Sequence, residues 1–82
     1  MTDAAPDLIL YSRAGCHLCD DMLDDVEQAC RGTGLTLSVV DIDTDAQLVE
    51  RYGERVPVLH DGTRELCAVR FDAAALDTLL DR

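Results

Sequence analysis

The spacing of apolar residues changes period at Cys16, and that change limits the folds open to this chain. Before it, Leu8-Ile9-Leu10-Tyr11 is an apolar run of strand length, too short for a helix and followed by the turn-like Ser12-Arg13-Ala14-Gly15. After it, Cys19, Met22, Leu23, Val26 and Cys30 follow steps of three and four, while Asp20, Asp21, Asp24, Asp25 and Glu27 take the other faces. A buried strand that turns at a glycine into an amphipathic helix opens an α/β unit. Gly32 and Gly34 end that helix.

Leu35, Leu37 and Val39 alternate with Thr36, Ser38 and Val40 and predict a second strand ending at Asp41. Thr44 with Gln47 has capping-box spacing and opens a short helix through Leu48, Val49 and Tyr52, closed by Gly53. Val56-Pro57-Val58-Leu59 reads as a third strand, Asp61-Gly62 as a hairpin turn and Glu65 to Val69 as a fourth strand. Asp72 caps a last helix carrying Leu76, Leu79 and Leu80. The order is βαβαββα. The first strands are joined through helices and are expected to be parallel; the last two, joined by a hairpin, antiparallel. The expectation is an α/β fold with a four-stranded mixed sheet flanked by helices, in one domain over 1–82 with residues 1–7 as a loose lead-in.

Composition narrows the chemistry. At 82 residues, a chain buries roughly 60–65% of its unfolded surface, so reactive groups are expected at the surface or on an element end. The formal net charge is -10, and every base is Arg. Such a surface repels phosphate backbones and anionic membranes, so neither nucleic acid nor membrane is an expected partner. Met1 to Asp7 carries no basic start or apolar core of a leader, and no apolar run nears the about 20 residues of a membrane span. A cytoplasmic location and a monomer are expected. Structural disulfides are rare in that compartment, so closely spaced cysteines there point to catalysis or metal.

Two of the four cysteines form Cys16-His17-Leu18-Cys19. At a helix start, Cys16 meets unpaired N–H groups and partial positive charge that favour a thiolate, which makes it a candidate nucleophile. Cys19, one turn on and on the core-facing stripe, is placed to attack a mixed disulfide formed at Cys16. Arg13 and His17 add positive charge, and Asp20 and Asp21 oppose it. The Cys16 pKa is therefore expected to fall less far than the about 3.5 of the most oxidising thiols of this kind. The competing readings are a zinc site and inert thiols. Zinc needs two further ligands, and neither a second C-x-x-C nor an H-x₃₋₅-H is present.

Tyr11-Ser12-Arg13-Ala14-Gly15-Cys16-His17-Leu18-Cys19 resembles the active-site segment of glutaredoxins, and Arg55-Val56-Pro57-Val58-Leu59 resembles their segment around a cis-proline. The resemblance spans essentially the whole chain and is nearest to short, largely uncharacterised glutaredoxin-like proteins of the thioredoxin superfamily. It implies a thioredoxin-like fold, a cis Pro57 facing Cys16, and thiol–disulfide exchange with Cys16 as nucleophile and Cys19 as resolving thiol. Protein disulfides or glutathione mixed disulfides are the implied substrates, with a cytosolic reductant. No cofactor is required, and glutathione is an expected reductant or co-substrate.

Arg13, His17, Val56, Pro57, Arg70 and Asp72 are the candidate substrate-binding residues. Val56 would offer its backbone to an extended substrate, Arg13 and Arg70 would hold carboxylates, and Asp72 would cap a helix or meet an amine. Two departures stand out. Cys67-Ala68-Val69-Arg70-Phe71-Asp72 lacks the Gly pair common in glutaredoxins before the last helix, and His17-Leu18 replaces the familiar Pro inside C-x-x-C. Beside these departures, the charge of -10 works against an anionic tripeptide and leaves a protein disulfide substrate open. A binding module docking through the Pro57 edge, and a metal or cluster carrier through Cys16, are the alternatives. Cys30 and Cys67 read as buried small hydrophobes, with Cys67 a candidate third redox thiol. His60 reads as a strand-end residue. Asp41, Asp43 and Asp45 read as a solvated connection, since the Gly and Glu of a calcium loop are missing.

Overall fold

A computed structural model describes residues 6–80, with side chains to residue 77. Strand β1 (Leu8–Ser12) leads into helix α1 (His17–Cys30). Strand β2 (Leu37–Asp41), a single 3-10 turn (Ile42–Thr44) and helix α2 (Ala46–Tyr52) follow. Strands β3 (Val58–His60) and β4 (Glu65–Ala68) and helix α3 (Ala73–Leu80) complete the chain. The sheet order is β2-β1-β3-β4, so the apolar strands β1 and β3 are central. No helix among the described residues is long and apolar enough to cross a membrane.

Alternation along β1 and β3 divides the core between the two faces of the sheet. Leu8, Leu10 and Leu59 pack with Met22 and Val26 of α1 and Leu76 of α3, all fully buried. On the other face Tyr11 and Val58 meet Ile42 and Tyr52, with Leu48, Val49 and Val56 around them. The Tyr11 and Tyr52 rings stack with centroids 4.5 Å apart, and burial raises the Tyr11 phenol pKa.

Strands β1 and β2 are parallel, as a helical crossover requires, but β3 pairs antiparallel with β1 although α2 precedes it. Helix length accounts for the difference. The 14 residues of α1 span about 21 Å, enough to return along a five-residue strand of about 17 Å. The seven residues of α2 span about 10 Å, and the chain re-enters the sheet at the end where β2 left it.

Other expectations change locally. The α2 cap is Asp45, whose carboxylate accepts the Gln47 N–H at 2.9 Å, while Thr44 completes the 3-10 turn. Thr44 gives its hydroxyl proton to the Asp41 carbonyl and leaves no capping box. Strand β2 begins at Leu37 rather than Leu35, and Val39 is 50% exposed on this edge strand, although its neighbour Leu37 packs against the α1-side core. Asp7, read as lead-in, accepts from the Thr36 N–H and hydroxyl and donates its own N–H to Thr36 Oγ1, which ties it to the start of β2. Residues 1–5 of that lead-in, and the side chains of Leu79 and Leu80, lie outside the described residues. Val69 falls outside β4 in the left-handed region, with φ 70°.

The β3–β4 hairpin closes where Asp61-Gly62 predicts it. Asp61 Oδ1 accepts the N–H groups of Thr63 and Arg64 at 2.8 and 2.7 Å, and His60 Nδ1 accepts that of Gly62 at 2.9 Å. The Arg64 and Thr63 N–H groups hold the Asp61 carboxyl below its usual range. A depressed folded pKa contributes stability above the unfolded value of about 3.9, and this is lost as pH falls through the folded value. Asp61→Asn is therefore expected to lose less unfolding midpoint than the parent between pH 5 and pH 2, measured by denaturant titration. Equal losses would deny Asp61 that role.

Candidate active site

Three segments far apart in sequence emerge at one end of the sheet. Tyr11 lies opposite Val58, and Val58 opposite Ala68. Antiparallel pairing therefore brings the exit of β1, the entry to β3 and the exit of β4 to the same edge. These are the segments of Arg13 to Cys16, Val56-Pro57 and Val69 to Asp72. A hydrogen bond of 2.8 Å from the Val69 N–H to the Pro57 carbonyl joins the last two.

Gly15, at φ 74°, makes the left-handed turn that drops Cys16 onto the α1 N-cap. There Cys16 Sγ accepts the Cys19 N–H at 3.1 Å, and the Cys16 carbonyl accepts that of Asp20 at 3.1 Å. A sulfur that receives a helix N-terminal N–H sits where negative charge is favoured. Cys19 is 1% exposed on the stripe it shares with Met22 and Val26, whereas Cys16 is half-buried. Their Cα atoms are 5.2 Å apart, and the two sulfurs lie at bonding distance as a disulfide. The arrangement offers one thiol to an incoming group and keeps the other behind it.

The remaining sequence candidates are placed as follows. His17 is exposed at the first position of α1. Arg13 gives Nε and Nη2 to the Asp43 carboxylate at 3.2 and 2.6 Å and Nη1 to the Gly53 carbonyl at 3.3 Å. Its charge, expected to act on Cys16, is shared with Asp43 and clamps the β2–α2 connection to the end of β1. The Asp43 carboxyl is held below its usual range by that hydrogen bond. The Val56–Pro57 peptide is cis, and Pro57 is fully buried. Of the Val56 backbone, expected to be open to substrate, the N–H donates to the Tyr52 carbonyl at 3.0 Å, while the carbonyl accepts no bond among the described residues. Asp72 caps α3 through the Ala74 N–H at 3.0 Å. Arg70 is exposed and lines a groove of about 300 Å³ with Leu18, Asp21, Asp25 and Val69.

Cys30 and Cys67 are free thiols, half-buried against the α1-side core, and burial raises both pKa values. Neither is joined to the Cys16–Cys19 pair. Among the described residues no three His, Cys, Asp or Glu side chains converge on a metal position. His60, besides ending β3, sets its ring edge-on to Tyr11 with centroids 6.1 Å apart. Sequence reasoning missed the Asp43 partner of Arg13 and the left-handed Val69. No signal marks Val69, since a β-branched residue is a poor candidate for positive φ.

A β2-β1-β3-β4 mixed sheet, a dithiol pair at the first helix N-terminus and a cis-proline before the third strand define a thioredoxin-like α/β protein of glutaredoxin type. The glutaredoxin-like domain (DUF836) matches residues 7–81, and the chain belongs to that family. A protein of Nitrosomonas europaea with a known solution structure is 30% identical, with 96% of each chain covered and a TM-score of 0.79. A protein of X. campestris with a known X-ray structure is 47% identical over 90% of this chain and 95% of that one, with a TM-score of 0.72. A buckwheat glutaredoxin, solved as a glutathione complex, shares the fold at 15% identity over 93% of this chain and 70% of that one, with a TM-score of 0.56. No curated protein matches the chain in sequence.

Proposed function

We infer that the protein is a thiol–disulfide oxidoreductase that reduces protein or glutathione mixed disulfides through Cys16 and Cys19. The observation that carries this reading is the pairing of an N-cap sulfur, half-buried and receiving a backbone N–H, with a shielded sulfur at bonding distance. In the first step the Cys16 thiolate attacks one sulfur of the substrate disulfide. A Cys16–substrate bond forms, the substrate S–S bond breaks, and the departing thiolate takes a proton. In the second step Cys19, as thiolate, attacks Cys16 Sγ. The Cys16–Cys19 disulfide forms and the second substrate sulfur leaves as a thiol. The substrate gains two electrons, and a cytosolic thiol reductant returns them to the protein.

Glutathione is a reasonable donor, since a glutaredoxin of this fold binds it. Neither step calls on a metal or organic cofactor. Equilibration in redox buffers with mass counting of alkylated thiols tests the reading. A reversible two-electron transition between about -180 and -270 mV is expected, the range of working exchangers. No reversible Cys16–Cys19 disulfide would overturn it in favour of a binding scaffold.

A further inference from the structure

The geometry points to the groove beside the C-x-x-C turn as the docking surface for a polypeptide disulfide that carries a Lys or Arg next to its cysteine. This rests on the exchange reaction inferred above and names its substrate class. The groove, of about 300 Å³, lies between α1 and the segment that follows β4. Part of its wall is apolar: Met22 and Phe71 line it, and Leu18 and Val69 are 41% and 39% exposed there, two of the three large apolar side chains that are exposed among the described residues.

Two of its lining residues belong to the segments that meet at the dithiol end of the sheet. Leu18 stands between the two cysteines in sequence, and Val69 is hydrogen-bonded to the Pro57 carbonyl. Asp21 and Asp25, one helical turn apart and both exposed, line the same wall against a single cation, Arg70. Among the described residues neither carboxylate has an ion-pair partner.

A Lys or Arg laid into this groove covers Leu18 and Val69 with its apolar stem and brings its head to Asp21 and Asp25. An acidic segment in the same place meets two like charges. The net charge of -10 draws a cationic partner towards the protein and repels an anionic one. A cation beside the substrate cysteine also lowers the pKa of the departing thiol, which makes it leave faster.

The test compares kcat/KM for two peptide disulfides that differ only in Lys or Glu beside the cysteine, with bis(2-hydroxyethyl) disulfide as a neutral reference. The Lys peptide is expected to be favoured by about tenfold at low ionic strength, and the ratio to shrink as salt is added. In an Asp21→Asn, Asp25→Asn double variant the ratio is expected to approach one. Equal rates for both peptides, or a faster Glu peptide, would overturn the inference while reduction of the neutral disulfide leaves the exchange reaction standing. An undiminished ratio in the double variant would assign the preference to overall charge and overturn the groove. Failure to reduce any of the three disulfides would remove the exchange reaction itself.

Discussion

Cys16→Ser is expected to abolish disulfide exchange, by at least about a thousandfold, while leaving the fold in place. A serine hydroxyl does not ionise near neutral pH and forms no disulfide, so the first bond of the reaction cannot be made. Serine is nevertheless a favoured N-cap residue. Its oxygen can take the Cys19 N–H that the sulfur now accepts, so α1 keeps its start and lost activity does not report unfolding. Cys19→Ser separates the two steps: Cys16 still attacks, nothing resolves the product, and the protein accumulates as a mixed disulfide with its substrate. Quenching with an alkylating reagent and weighing the protein detects this as a mass increase of one substrate half. Circular dichroism melts accompany both variants, because Cys19 is 1% exposed and its replacement puts a hydroxyl in the core. Full turnover by Cys16→Ser would refute the assignment of the nucleophile.

Leu10→Ala is expected to lower stability by about 2–5 kcal/mol and the thermal midpoint by upwards of about 10 °C. Leu10 is fully buried on central strand β1, in the cluster with Met22, Val26 and Leu76. Truncation loses its transfer free energy and leaves a cavity between sheet and helix. A domain of this size holds only about 4–12 kcal/mol in total, so the variant approaches the limit of folding. Val39 is the matched control. It is Leu10's register partner across the parallel β1–β2 pair but is 50% exposed, and Val39→Ala is expected to stay within about 0.5 kcal/mol. Denaturant titration of both variants checks the pair, and similar losses would mean that the edge strand is as well covered as the centre.

The same register pair shows how far the sequence reaches. Alternation placed Val39 beside Leu37 on an inner face, yet whether an inner face is covered depends on how far α1 extends across the sheet, which no local pattern encodes. Likewise the helix before β3 led to the expectation of a parallel strand, and β3 runs antiparallel to β1. That follows from α2 being too short to return along β2. Thr44 and Asp45 are both competent caps with adjacent claims, and the tight turn after Asp41 decided between them in favour of Asp45.

At the candidate site, the sequence by itself determined the local chemistry. Gly15, Cys16 and Cys19 set one cysteine sulfur on a helix N-terminus with a second one turn behind. Turn chemistry and helical period act over a few residues and can be read from them. Tertiary structure alone decided what surrounds that pair. Arg13 faces Asp43, thirty positions on. Val69 is bound to Pro57 and walls a groove with Leu18, Asp21 and Asp25. These contacts join segments brought to one edge by strand pairing, and pairing is a long-range choice fixed by the packing of two core faces at once.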